Sequence, residues 1–140
     1  MNGNEISKSM LKAGAVFETE RVFSQDDFNS FALLSGDDNP IHVDPAFASA
    51  THFGATVAHG MLLYTGLRGY LQKLFPGSCQ LAHQMMFPSG TTAGETVRYR
   101  VEVIALDPET RQLKLKVQMF RPGGELGLDG ETLLRWEELS

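Results

Sequence analysis

Apolar and polar positions alternate along the chain in two different rhythms. Residues 15 to 23, AVFETERVF, read as a first strand. Ser24 then stands as an N-cap, with Asp27 three residues on as a capping-box acid. Phe28, Phe31, Ala32 and Ser35 follow i, i+3, i+4, i+7 spacing, so one face of a short helix is expected to pack inward. Ser35-Gly36 should end it. Asp44-Pro45 looks like a cap with proline at the first helical position, opening a short turn through Ala50. A longer helix is expected from about His59 to Phe75, with Leu63, Leu67, Tyr70, Leu71 and Leu74 as its apolar stripe and Pro76-Gly77 as its stop.

The carboxy-terminal half changes to a period of two. Val97, Tyr99, Val101 and Val103 alternate with Arg98, Arg100 and Glu102. Leu113, Leu115, Val117 and Met119 alternate with Lys114, Lys116 and Gln118. Both patterns mark half-buried strands. Asp107-Pro108 and Pro122-Gly123-Gly124 supply the turns. Residues 80–87 and 127–136 read as further strands. One long helix facing an antiparallel sheet of about five strands is an α+β layer arrangement, in which the helix covers the apolar face of the sheet. No repeat or low-complexity linker interrupts it, so residues 1–140 are read as a single domain.

Composition narrows the function classes. The 140 residues hold 42% hydrophobic and 21% charged side chains, as in ordinary globular proteins. A net charge of −5 and the lack of a basic run argue against nucleic acid as a partner. One cysteine, Cys79, allows neither an intramolecular disulfide nor a cysteine-based zinc site. The amino-terminal MNGNEISKSMLK has no apolar h-region, and no apolar run nears 18 residues. A soluble cytoplasmic protein with no membrane partner is the expectation.

The stretch SGDDNPIHVD, Ser35 to Asp44, breaks both rhythms. Asp37 and His42 are five apart, which on a helix diverges their side chains by about 140°. On a strand the same spacing sends them to opposite faces. They converge only if the chain between them bends. Pro40 fixes its own φ and pushes Asn39 into an extended conformation, giving a rigid kink that brings the pair together. A carboxylate beside an imidazole suits proton transfer and can hold one water between them. Read singly, Asp37 is equally an Asx-turn residue, and His42 a hydrogen-bonded structural histidine. The second signal is VAHGM, Val57 to Met61, which opens the long helix on a glycine. Its free amide makes Gly60 a candidate oxyanion donor, though tight packing explains a glycine there as well. His59 is expected to shape the helix start and to hydrogen-bond the loop. Asp38 and Asp44 read as solvent and cap residues. His52 and His83 have no supporting partner. A metal site built from Asp37, Asp38, His42 and Asp44 matches neither an EF-hand loop nor a zinc helix pair, so no metal is expected.

The strings FALLSGDDNPIHVDPAFA and FGATVAHGMLL together resemble the MaoC-like (R)-specific enoyl-CoA hydratase family, also called hydratase 2. The likeness in motifs runs from about Phe28 to Gly77. It implies the hot-dog fold, a long helix wrapped by an antiparallel sheet. It places the catalytic pair on Asp37 and His42, the oxyanion glycine on Gly60, and loop and water support on Asn39 with Pro40. It implies reversible syn hydration of trans-2-enoyl-CoA to (3R)-hydroxyacyl-CoA, within fatty acid metabolism. No cofactor is implied, the CoA thioester being the substrate. A homodimer with its acyl tunnel at the interface is implied too.

The chain departs from the pattern at Arg68. The matching region is mostly small or apolar in members acting on simple acyl chains. Tyr64, Arg68 and Gln72 make a polar edge beside the leucine stripe, so Arg68 either faces solvent or binds a polar acyl group. Tyr64, Arg68 and Leu71 are the substrate-binding candidates. A thioesterase of the same fold would take an acid from the central helix, but residues 61–75 contain no Asp or Glu. A 3-hydroxyacyl-thioester dehydratase acting on an acyl-carrier-protein or a polar, dicarboxylic acyl substrate remains as an alternative. So does a non-catalytic acyl-CoA-binding module. Arg98, Arg100, Lys114, Lys116 and Arg121 all fall on expected strands, where any could meet CoA phosphates or only solvent.

Overall fold

The computed structural model describes residues 10–139; the amino-terminal MNGNEISKS, read above as lacking an h-region, and Ser140 lie outside it. In chain order the elements are β1 (Val16–Val22), α1 (Gln25–Ser35), α2 (Pro40–Val43), α3 (Pro45–Ser49), α4 (Gly60–Leu74), β2 (Cys79–Met86), β3 (Thr96–Asp107), β4 (Gln112–Phe120) and β5 (Leu126–Arg135). The five strands form one antiparallel sheet in the order β1-β3-β4-β5-β2. The expected α+β layering, a long helix wrapped by this sheet, is what the chain adopts.

The alternating positions point where their period says. Val97, Tyr99, Val101 and Val103 of β3 and Leu113, Leu115, Val117 and Met119 of β4 are all buried. They pack with Leu63, Leu67, Leu71 and Leu74 of α4 in one core. Each such side chain contributes about 2 kcal/mol on leaving water. Gly66 lets α4 settle closely on the sheet: a Cβ there would lie 2.4 Å from the Tyr99 hydroxyl. That hydroxyl donates to the Leu63 carbonyl at 2.7 Å, and burial holds its pKa well above the usual tyrosine range.

The charged side chains of the other sheet face pair with one another. Arg98 meets Glu18 at 3.0 Å, Arg100 meets Glu102 at 2.8 Å, and Lys114 approaches Glu131 at 3.8 Å. At the edge Arg121 binds Glu95 at 2.8 Å.

In α1, Phe28 and Ala32 are buried as the spacing expects, but Ser35 is exposed. The helix ends at Gly36 in the left-handed region (φ 80°), and the Ser35 hydroxyl turns back to accept the Asp37 amide at 3.1 Å. A terminal serine is thus drawn into the next turn rather than into the core. Leu33 and Leu34, on the outer face of α1, are left exposed.

Candidate functional site

The site is assembled from the connection between α1 and α4, held by short-range caps. Asn39 is extended (φ −51°, ψ 133°), and its side chain accepts the Ile41 amide at 3.1 Å. Pro40 therefore does more than kink the chain. With Asn39 as N-cap and proline at the first position, residues 40–43 close into one helical turn. Asp44 caps α3 in the same way, accepting the Phe47 amide at 3.2 Å.

This turn brings Asp37 and His42 together, with the carboxylate oxygen Oδ2 3.7 Å from Nε2. His42 is largely buried, whereas Asp37 is more than half exposed. His42 Nδ1 lies 2.7 Å from the Val57 carbonyl, which can only accept. Nδ1 therefore carries a proton, and in the neutral ring Nε2 is left as an acceptor facing Asp37. Two acceptors 3.7 Å apart suit one bridging water that donates to both.

Longer-range bonds fix the backbone beneath the pair. The Val57 amide donates to the Ile41 carbonyl at 3.1 Å. Gln25 Nε2 donates to the His42 carbonyl at 2.9 Å, and the buried Thr56 hydroxyl donates to Gln25 Oε1 at 2.5 Å. Gln25 and Thr56 are positioning residues that the sequence did not single out. They stand 17 and 14 positions from His42, and no local motif links them.

His59 sits under the site. Its ring stacks on His42 with centroids 3.8 Å apart and planes 22° from parallel, while Phe31 packs edge-on against it. Its Nε2 donates to the Asp37 carbonyl at 2.8 Å, tying the loop to the start of α4. Asp37, His42 and His59 each place a potential ligand atom within 4.8 Å of the others. The geometry fits a metal poorly, because lone pairs in two stacked rings run in separate, near-parallel planes and cannot both aim at one ion.

Gly60 opens α4. Leu62 and Leu63 donate to the His59 carbonyl at 3.0 and 3.3 Å, whereas the Gly60 amide has no acceptor among the described residues. It is thus one of the free donors of a helix start. A Cβ at Gly60 would lie 2.6 Å from the Phe87 ring, so close packing also favours glycine here.

The remaining candidates lie down α4. Leu71 is fully buried in the core and faces no site. Tyr64 and Arg68 are half-buried beside β2. The Tyr64 hydroxyl donates to Gln80 at 2.7 Å, and its ring lies 4.8 Å from that of His83. Arg68 is not a fully solvated side chain: its Nη1 is buried. His83 thus gains a partner that the sequence did not suggest. The His52 ring lies 4.0 Å from that of its neighbour Phe53. The concavity on the outer face of β2 and β5, around Gln84, Lys116 and Glu131, is lined by no histidine.

The family described as MaoC like domain matches residues 7–119. The (R)-specific enoyl-CoA hydratase of Aeromonas caviae is 34% identical over 132 residues, covering 93% of this chain and 98% of that protein. The mitochondrial 3-hydroxyacyl-[acyl-carrier-protein] dehydratase of Arabidopsis thaliana is 34% identical over 130 residues, 90% of this chain and 78% of that one. Among solved structures, the (R)-hydratase of A. caviae involved in PHA biosynthesis superposes with a TM-score of 0.86 at 34% identity. That match covers 90% of this chain and 97% of the other.

Proposed function

The chain belongs to the MaoC-like family, and on that footing we propose that it is an (R)-specific enoyl-CoA hydratase, a hydro-lyase that adds water reversibly across trans-2-enoyl thioesters. The observation that carries this reading is the Asp37–His42 pair at 3.7 Å, with Nδ1 of His42 committed to Val57 and Nε2 left as an acceptor. A water donating to Asp37 and to His42 Nε2 attacks C3 of the enoyl thioester as the pair takes up one of its protons. The C2–C3 π electrons move toward the thioester oxygen, where the Gly60 amide meets the growing charge. The pair then returns the proton to C2. Water and proton come from the same side, so addition is syn; the (3R) configuration is set by which alkene face meets the pair, and the (R)-specific relative supports that face. No atom in these steps is supplied by a metal or redox group, and we propose that the enzyme uses no cofactor.

The alternative differs in carrier and direction, not in chemistry. The Arabidopsis relative, named for an acyl-carrier-protein substrate, matches at the same identity as the hydratase, which keeps a 3-hydroxyacyl-thioester dehydratase as the second reading. A non-catalytic acyl-CoA-binding module would have no use for a tautomer-fixed histidine facing a carboxylate.

We also propose a homodimer that completes the acyl tunnel. The support is β2, an edge strand whose neighbourhood exposes Leu81, Met86, Phe87 and Met61, so a second strand edge can both pair with it and cover it. Among the described residues no helix is long and apolar enough to cross a membrane. A cytoplasmic location is part of the same proposal.

The test is crotonyl-CoA hydration, followed by loss of enoyl-thioester absorbance, with product chirality determined and Asp37→Asn as control. The expected result is a (3R)-product in the wild type and turnover lost in the folded variant. Equal activity in both proteins would remove Asp37 from the chemistry.

A further inference from the structure

The wall between α4 and β2 carries polar groups that hydration does not use. Phe87 lies against Gly60, and four residues earlier in the chain His83 lies against Tyr64, so β2 runs antiparallel alongside α4. The seam where they pack runs from the Gly60 amide, the proposed thioester end, toward Arg68. At that far end stand Tyr64, Arg68, Gln80 and His83.

Part of this cluster is internally satisfied. The Tyr64 hydroxyl donates to Gln80 Oε1, Gln80 Nε2 donates to Thr132 at 2.8 Å, and the Thr132 hydroxyl donates to the Ala82 carbonyl at 3.2 Å. That relay holds the wall rigid. The rest is unsatisfied: Arg68 Nη1 and both ring nitrogens of His83 are buried without a hydrogen-bond partner among the described residues. The contrast with the surface is informative. Arg98, Arg100, Arg111, Arg121 and Arg135 all have carboxylate partners and Arg21 lies over the Phe23 ring, whereas Arg68 has neither kind of partner among the described residues. A half-buried guanidinium with one buried, unpartnered nitrogen is left under-satisfied, and a planar carboxylate is the group that satisfies it best. His83, whose pKa burial and Arg68 both push down, adds a neutral N–H donor.

We propose that Arg68 and His83 form a carboxylate-binding subsite at the far end of this seam, so that the preferred substrates are trans-2-enoyl thioesters ending in a carboxylate. This rests on the hydratase reading for which end of the seam holds the thioester. Eight residues separate Gly60 from Arg68, a rise of about 12 Å. The arginine side chain leans back toward the helix start, which shortens the span. A diacid chain of about six carbons suits that distance.

The experiment compares kcat/KM for trans-2-hexenoyl-CoA and trans-2,3-didehydroadipyl-CoA, with crotonyl-CoA as reference. Wild type is expected to favour the carboxylate by roughly 30-fold or more, the worth of a buried charge-assisted bond. Arg68→Met should collapse that ratio, and Arg68→Lys should retain part of it. A wild-type ratio near one overturns the subsite whatever the variants do. So does a ratio that survives Arg68→Met while gel filtration shows the dimer lost, which would assign Arg68 to a subunit contact. Calorimetry on Asp37→Asn separates the two readings: tighter binding of adipyl-CoA than of hexanoyl-CoA supports the subsite even if no enoyl-CoA is hydrated. Crotonyl-CoA turnover without any carboxylate preference leaves the hydratase reading standing and removes this one.

Discussion

The Asp37–His42 turn and the Tyr64–Arg68–His83 wall both flank α4, yet the chain shapes them differently. The turn lies near the surface and is built from caps reaching two or three residues: Ser35 to Asp37, Asn39 to Ile41, Asp44 to Phe47. Longer bonds from Gln25, Val57 and His59 then fix it, with Asp37 exposed and His42 largely buried. The wall is built by tertiary packing of a helix on an edge strand, and Arg68 Nη1 and both His83 ring nitrogens are buried without partners among the described residues. The turn brings its carboxylate and imidazole together within one chain, whereas the wall leaves Arg68 Nη1 and His83 without partners among the described residues.

The sharpest way to break this contrast is to remove the pair. His42→Ala and Asp37→Asn are each expected to lower kcat for crotonyl-CoA by about 10²–10⁴-fold. Because the two act on one water, the double variant should lose little more than the worse single one. Fully multiplicative losses in that cycle would mean two independent roles. A smaller effect is expected at Gly60. Gly60→Ala keeps the amide but drives a methyl into the Phe87 ring. Turnover should fall roughly 10–100-fold through misplacement of the donor, an effect that displacements near 1 Å can produce. Adding Phe87→Ala should recover part of it. No recovery would locate the harm in the groove itself rather than in packing.

The same contrast explains what a reader of the sequence could see. Local codes are legible: Ser24, Gly36 and Asp44 announce their caps, and the period of two in β3 and β4 announces which residues face α4. The Asp37–His42 spacing was readable because Asn39-Pro40 bends the chain in a known way, although the helical turn at 40–43 was not expected. The His42–His59 stack and the Gln25–Thr56 strap join residues 17 and 31 positions apart, and no periodicity encodes them. His83 was hidden for a different reason. Gln80 and His83 are an odd number apart, which on a regular strand would put them on opposite faces. A register shift between Gln80 and Ala82 turns both toward Tyr64. Bulges of that kind leave no reliable mark in hydrophobic patterning.

A milder test addresses the caps. Asn39→Ala removes the acceptor for the Ile41 amide and should cost about 1 kcal/mol of stability. Thermal denaturation would measure that loss, and kcat should fall several-fold as the turn loosens. Unchanged stability would show that Pro40 alone fixes the turn.

The smallest effect concerns the wall, and it is read in pH rather than in rate. Burial, with Arg68 adding to it, holds the pKa of His83 below its ordinary 6.5. The unfolded chain therefore takes up a proton near pH 6.5, while the folded chain resists until lower pH. Stability is fully present above 6.5 and is lost as pH falls through the folded value. His83→Phe keeps the ring against Tyr64 and removes the titration. Its melting temperature should match or exceed the wild type's at pH 7.5, since both ring nitrogens lack partners, and should fall less between pH 6.5 and 5. Parallel curves for the two proteins would mean that His83 is solvated in solution and the wall is open. Saturating adipyl-CoA should narrow the wild-type loss over the same window. A carboxylate beside Arg68 offsets the cationic field on His83 and lets the ring accept a proton in the folded state. Hexanoyl-CoA brings no such charge and should leave the acid sensitivity of the wall in place.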